Sequence, residues 1–363
     1  MVTETPQVVD VRLDERSYTV EEYCRRFAEF GLTRFDVVVS CGGGTTTDMA
    51  CLAAALFHRG VPVVHLPTSL LAQVDASVGG KTAVNLPEGK NLLGAYWQPK
   101  AVLCDTEYLT TLPPREMTNG YGEIARCHFI GAGDLRGLSL TAQIAASVRR
   151  KADVVAADER DFGLRHVLNY GHTLGHALER ATDFSLRHGE AVAIGTVFAG
   201  LLAGRLGRIS QERVTEHHDV VSHYGLPTKL PADVDPAELI ALMRLDKKAT
   251  ASLAFVLDGP GGAELVTGVP QDAVAEVLAA MPRDVRPWPI PLKQQTTTRR
   301  NRSMSAAITE LWAEPNRNSP PEPGLSPSNL GVTRGKSGGW RPRRDSILVV
   351  RATSLQMCDR TWR

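Results

Sequence analysis

Apolar residues recur along this chain with two periods, and the change from one to the other divides it. Residues 36–40 (Asp-Val-Val-Val-Ser), 61–66 (Val-Pro-Val-Val-His-Leu) and 101–105 (Ala-Val-Leu-Cys-Asp) are short, β-branched or apolar runs that predict strands, and residues 49–57 predict a helix between the first two. From Pro114 onward the spacing turns helical, over 144–158, 168–179, 190–206, 211–224, 236–244 and 271–281. Strands alternating with helices predict an α/β domain over residues 1–115, and the helical run predicts an all-α domain over 116–282, with the site in the cleft between them. Between residues 73 and 91 neither period holds. That stretch sets Asp75, Lys81, Lys90 and Asn91 among glycines, which reads either as a binding loop or as a solvated hairpin. Two lysines and an asparagine would suit a phosphorylated, hydroxylated ligand.

Charge divides the chain a second time. Residues 283–363 carry 15 Lys and Arg against 6 Asp and Glu, a net of +9, whereas residues 1–282 carry 26 against 34, a net of −8. An acidic body is a poor nucleic-acid surface. The tail is rich in Pro, Ser, Arg and Asn without sustained apolar periodicity, and is expected to be a disordered basic extension; an RNA-binding tail is the alternative. No run approaches the eighteen apolar residues of a membrane span, and Met1-Val-Thr-Glu-Thr-Pro has no signal-peptide pattern, so a cytoplasmic protein with no membrane partner is expected. Six scattered cysteines without a CxxC pair read as small buried hydrophobes in a reducing compartment.

Candidate chemistry lies at two places. Gly42, Gly43 and Gly44 join the first strand to a helix, where bare backbone could cradle a pyrophosphate; the pattern is GGGxxxD and not GxGxxG, and a plain tight turn is the competing reading. His172 and His176 stand at i and i+4, His188 follows in a Gly-flanked turn, and Glu123 comes from an earlier helix start. Two imidazoles and a carboxylate with a coordination position left open suit catalytic zinc, whereas a histidine pair seen alone is as readily a capped or surface pair.

In order, the chain carries GGGxxxD at 42–48, Arg59, PTSLLAQVDASVGGKTAVN at 67–85, GKN at 89–91, LTTLPPRE at 109–116, Glu123, ADERD at 157–161, LNYGHTLGHALE at 168–179, RHGEAVAIG at 187–195 and Asp246-Lys-Lys248. With these elements it resembles the 3-dehydroquinate synthase family of sugar-phosphate cyclases over roughly residues 13–282. The resemblance implies a Rossmann-like NAD-binding domain, a helical metal-binding domain, NAD and Zn2+ (or Co2+) as cofactors, a small sugar-phosphate substrate and a homodimer. It makes Glu123, His172 and His188 the metal ligands, and assigns NAD to Gly42, Gly43, Gly44, Asp48, Thr68, Ser69, Asp75, Lys81, Lys90 and Thr111. Lys81, Lys90, Asn91, Lys151, Arg165, Asn169, His176 and Lys248 would hold substrate, with Arg59 reaching into the site of a dimer partner. His176 is then a substrate or proton-relay group and not a fourth ligand.

The reaction implied is oxidation of a substrate hydroxyl by NAD⁺, loss of phosphate, return of the hydride, ring opening and closure to a carbocycle. Three departures from the family pattern stand out. The glycine loop arrives at residue 42, early for the family, so the N-terminal domain is expected to be shortened by strand–helix units that help hold the adenosine end of NAD. Arg126 stands where the family has a lysine, and is expected in the pocket. Residues 131–143 are shorter than the usual segment. GEIARCHFIGAGDLRG and LNYGHTLGHALE are most similar to the branch that makes 5-amino-5-deoxy-3-dehydroquinate for 3-amino-5-hydroxybenzoate, the starter of ansamycin-type antibiotics. A 3-dehydroquinate synthase of the shikimate pathway and a glycerol-dehydrogenase-like metal-dependent oxidoreductase are the alternatives.

Overall fold

The computed structural model describes residues 8–12, 19–86, 89–245, 253–284 and 346–350. Strand β1 (Val8–Arg12) is followed by helix α1 (Val20–Phe30), which starts on a capping box in which Thr19 and Glu22 satisfy each other's backbone N–H groups. Then come β2 (Val37–Gly42), α2 (Gly44–Leu56) and β3 (Val63–Pro67). Strands β4 (Lys81–Leu86) and β5 (Gly89–Tyr96) pair antiparallel, and β6 (Ala101–Val102) closes the segment. The helical part runs α3 (Pro114–Cys127), α4 (Leu140–Ala157), α5 (His172–Ala181), α6 (His188–Arg205) and α7 (Gln211–His223). It continues as β7 (Leu230–Pro231), α8 (Pro236–Leu245), β8 (Leu253–Leu257), β9 (Glu264–Val269), α9 (Gln271–Ala280) and β10 (Arg283–Asp284). Far down the tail, β11 (Ser346–Val350) is the last element.

The main sheet has the order β1-β11-β2-β3-β6, with β2, β3 and β6 parallel as the strand–helix–strand pattern requires. In its main core Phe27 of α1 and Ala50, Ala53 and Ala54 of α2 pack on Val38 and Val63, and Cys41 and Leu66 form a small separate cluster with Val39, Leu103 and Tyr108. A second, larger cluster holds the helical part together, and α6 runs through its middle with Ala191, Val192, Ala193 and Ile194 fully buried. Leu70 and Val74 lie between the strands in sequence yet belong to this second cluster. The segment after β3 is therefore packed against the helical domain, so the loop carrying Asp75 reaches the helices.

One open reading is decided and two expectations are corrected. Of the loop and the hairpin, residues 81–86 and 89–96 form the β4–β5 hairpin, with Lys81 facing Tyr96 and Thr82 facing Ala95. The helical domain is not purely α, because β8 pairs with β9 and β7 with β10. Residues 346–350 lie inside the tail expected to be disordered, but they run antiparallel to both β1 and β2, from Val350 opposite Val8 and Val37 to Ser346 opposite Arg12 and Cys41. Ser-Ile-Leu-Val-Val is a five-residue apolar run with high strand preference, too short to register against the surrounding Arg, Pro and Gly. Residues 283–284 of the tail form β10, and the rest of it lies outside the described residues.

Candidate metal centre and nucleotide cradle

Three helix ends meet because glycines let their backbones touch. A Cβ at Gly122 of α3 would stand 2.2 Å from the carbonyl oxygen of Gly189 at the start of α6, and one at Gly189 would stand 1.8 Å from that of Asn119. Gly171, with φ +77°, turns the chain into α5, and a Cβ at Gly195 of α6 would be 1.9 Å from its carbonyl oxygen. Three of these glycines adjoin a candidate ligand: Gly122 precedes Glu123, Gly171 precedes His172, and Gly189 follows His188. The Asn119 side chain accepts from the Gly189 N–H at 2.7 Å, and Arg115 grips Glu190 through Nε at 3.0 Å and a terminal nitrogen at 2.9 Å, locking α3 to α6.

The close approach gathers the three side chains. Glu123 Oε1 stands 3.2 Å from His188 Nε2 and 3.6 Å from His172 Nε2, and the three ligand atoms lie within 4.8 Å of one another. His172 Nδ1 lies 3.1 Å from the Tyr170 carbonyl, so it donates there and leaves Nε2 as the free lone pair. Both oxygens of Glu123 are fully buried; Oε1 has no hydrogen bond, and Oε2 faces the Arg126 guanidinium in an ion pair. A buried carboxylate oxygen facing two imidazole nitrogens is the donor set of a divalent cation such as Zn2+ or Co2+, and the residues fit that group.

The buried charges act on one another. Burial opposes the charged form of Glu123, but Arg126 and the two histidines hold its carboxyl well below the usual range. Burial pushes His172 down to about 3, whereas for His188 it is outweighed by Glu123 and Glu179, which hold the ring up to about 9. His176, one turn after His172, is half-buried, with its ring centroid 5.4 Å from that of His172 and 6.2 Å from that of His188.

Arg126 departs from its expected place. It is fully buried: Nε stands 2.8 Å from Glu123 Oε2, one terminal nitrogen bonds Asp75 Oδ1 at 3.2 Å, and the other donates to the Leu168 carbonyl. Its donors are taken by protein groups, so it braces the site from beneath. Lys151 is likewise buried and donates to Asp75 Oδ1 and to the Asp75 carbonyl, both at 2.7 Å. Arg165 donates to the carbonyls of Gly79 at 2.6 Å and Glu159 at 2.6 Å. These cations hold the Asp75–Gly80 turn against the helices. Lys81 pairs with Asp161, an acidic partner that sequence reasoning passed over inside the ADERD motif.

The glycine loop lies on the other domain. Gly43 is the N-cap of α2 with no side-chain cap, so first-turn N–H groups are left for a ligand or water. Ser69 Oγ would lie 3.6 Å from a Cβ at Gly43, and the Thr68 N–H donates to the Gly42 carbonyl at 2.9 Å, which brings the β3 end beside the loop. Bare backbone beside a free helix start fits a dinucleotide pyrophosphate. Asp48, one turn into α2, has its pKa pushed up to about 7 by burial. Thr111 and Asn169 are exposed at the ends of 3-10 turns. Asn91 sits in β5 at φ +56° with its N–H on Asn85 Oδ1 at 3.0 Å. Arg59 is exposed beyond the far end of α2, roughly 20 Å along the helix from the glycine loop, and so lies outside this chain's own site. The backbone of Lys90 lies in β5, but its side chain, like all of Lys248, is outside the described residues.

Fold and site together define a two-domain protein with a candidate nucleotide cradle on a parallel sheet and a candidate metal-ligand triad on the helices. Residues 10–119 match the 3-dehydroquinate synthase N-terminal family and residues 120–249 the 3-dehydroquinate synthase C-terminal family. A protein of Amycolatopsis mediterranei (strain S699), provisionally named an aminodehydroquinate synthase, is 73% identical over 278 residues, which are 77% of this chain and 79% of that protein. A 3-dehydroquinate synthase of Synechococcus sp. is 44% identical over 282 residues, covering 72% of this chain and 77% of its own length. The chain belongs to the 3-dehydroquinate synthase family. Among solved structures, 2-deoxy-scyllo-inosose synthase complexed with carbaglucose-6-phosphate, NAD+ and Co2+ superposes with a TM-score of 0.67 at 29% identity, over 72% of this chain and 78% of that one. The 2-epi-5-epi-valiolone synthase of Streptomyces hygroscopicus with NAD+ and Zn2+ bound gives 0.64 at 28% identity, over 72% and 77%. No helix among the described residues is long and apolar enough to cross a membrane.

Proposed function

We propose that this chain is an NAD- and zinc-dependent cyclase that converts an aminated heptulosonate 7-phosphate to 5-amino-5-deoxy-3-dehydroquinate with loss of phosphate, in 3-amino-5-hydroxybenzoate biosynthesis. The carrying observation is the triad of buried Glu123 and His172 with half-buried His188, braced through Arg126 to the Asp75 turn. The metal would be held by Glu123 Oε1, His172 Nε2 and His188 Nε2, and NAD by the Gly42–Gly44 loop, Asp48, Thr68, Ser69, Asp75, Lys81, Lys90 and Thr111. When bound, the pair supplies a Lewis acid and a hydride acceptor and donor. Lys81, Lys90, Asn91 and Lys248 bind the substrate's anionic groups and hydroxyls, and cationic side chains stabilise the departing phosphate. Lys151 and Arg165 act through the turn they hold. His176 sits beside the two ligand rings at the open side of the triad, where it can carry a proton to or from the substrate.

The aminated substrate rests on the 73% relative and its name. The relative at 44% keeps the hydroxylated substrate of the shikimate pathway as the second reading. We further propose a cytoplasmic homodimer in which Arg59 completes the partner's site. Assay of both heptulosonate phosphates decides the substrate: phosphate release on the aminated compound without a net absorbance change at 340 nm is expected. Turnover of the hydroxylated compound alone would replace this reading with the second, and NADH accumulation would sink both.

A further inference from the structure

We infer that Glu179 is a positioning residue for the metal centre, orienting His188 through the ring nitrogen that faces away from Glu123. The inference rests on the proposed metal triad. His172, His176 and Glu179 stand at i, i+4 and i+7 on α5 and share one face. His188 begins α6 against that face, and its two ring nitrogens meet two different carboxylates: Nε2 lies 3.2 Å from Glu123 Oε1 and Nδ1 lies 3.4 Å from Glu179 Oε1. Glu179 is 5% exposed, and a carboxylate that deep is retained only with a donor to face. His188 Nδ1 is buried and has no well-aligned hydrogen-bond partner as the ring stands. A small rotation of the ring brings Nδ1–H onto Glu179, which fixes the tautomer that leaves Nε2 as the lone pair for a cation. His172 shows the same arrangement with a different acceptor, its Nδ1 on the Tyr170 carbonyl. Each imidazole of the triad thus has an oxygen behind it, and the anionic one lies behind His188.

The same atoms allow a rival. His176, Glu179 and His188 can also bring three ligand atoms within 4.8 Å of one another. A second ion there together with the first would require His188 to bridge as an imidazolate, losing both ring protons, whereas an Nδ1–H held by Glu179 needs no such loss.

The test measures Zn2+ stoichiometry and affinity by chelator competition, with Co2+ absorption spectra, in the wild-type protein, Glu179→Gln and Glu179→Ala, beside melting of the metal-stripped forms. The expected result is one metal per wild-type chain. Affinity should fall about 10–100-fold in Glu179→Ala, with a smaller loss in Glu179→Gln, whose amide oxygen still accepts from Nδ1–H. The Co2+ band should shift in Glu179→Ala, and the stripped proteins should melt alike. If Glu179→Ala melts early once stripped, Glu179→Gln carries the comparison alone. Equal affinities and spectra would overturn the positioning role while leaving the triad intact. Two metals in the wild type with one lost in Glu179→Ala would make Glu179 a ligand and overturn it. A wild-type chain that binds no metal would overturn the triad itself.

Discussion

Arg126 Nε stands 2.8 Å from Glu123 Oε2, on the opposite side of that carboxylate from the two imidazoles. One oxygen of Glu123 is thereby neutralised while the other faces the two histidines. The same guanidinium reaches Asp75, so the candidate triad and the Asp75 turn share one buried charge.

Replacing Arg126 should therefore be costly in a particular way. Arg126→Met leaves the buried Glu123 carboxylate short of its counter-charge, whereas Asp75 keeps Lys151, and should destabilise the fold by about 3–5 kcal/mol. Arg126→Lys keeps the charge but loses the fork that reaches three partners, and kcat/KM should fall by a similar factor on the aminated and the hydroxylated substrate. A tenfold change in the ratio of the two would show that residue 126 touches substrate instead.

Metal content should follow the triad. His188→Ala is expected to bring about one Zn2+ per chain to near none and to abolish phosphate release, since two protein ligands hold zinc far more weakly than three. Plasma emission analysis of purified protein provides the measurement, and full occupancy in the variant would remove His188 from the ligand set.

Gly189→Ala should behave like a ligand mutation without touching a ligand. Its Cβ would fall 1.8 Å from the Asn119 carbonyl oxygen, so α6 must move off α3. A loss of more than about 2 kcal/mol in chemical unfolding is expected, together with weakened metal binding, because Glu123 and His188 part. Wild-type stability in this variant would show that the crossing is looser than described.

The tail strand makes a prediction opposite to the one composition suggests. Removing residues 346–363 deletes β11, the only link between β1 and the rest of the main sheet among the described residues, and leaves an edge of β2 unpaired. Melting should occur several degrees earlier in the truncated protein, on the order of 1–3 kcal/mol. An unchanged melting temperature would show that the tail does not pack on the body.

Asp48 gives stability a pH slope. Its folded pKa of about 7 lies above the ordinary 3.8, so between these values the folded state keeps a proton that the unfolded chain has lost. Stability from this group therefore declines as pH rises from about 4 to about 7, and above that the cost of a buried carboxylate is fully present. Asp48→Asn should gain progressively on the wild type across that window in cofactor-free melts. A gap between the two proteins that stays constant from pH 4.5 to 7.5 would count against the shift.

What the sequence determined by itself is local or carried by ordered motifs. The 3.6-residue spacing placed α4, α6, α7, α8 and α9 to within a few residues, because an amphipathic period needs no knowledge of its partner. The i and i+4 histidines, the GGG turn and the candidacy of Glu123 and His188 were legible in the sequence, and the family resemblance took His176 out of the ligand set. Only the tertiary structure decided the rest. The β4–β5 hairpin and β11 depend on which strand lies opposite, and no strand's own sequence states its partner. Arg126 looked like a pocket residue on helix spacing, but the direction of its fork is set by Glu123, Asp75 and Leu168, which come from three separate segments. Glu179 was visible in LNYGHTLGHALE and had no assigned work until α6 laid His188 Nδ1 beside it. Charge pairing across elements is a property of distance, and distance between elements is what folding adds to sequence.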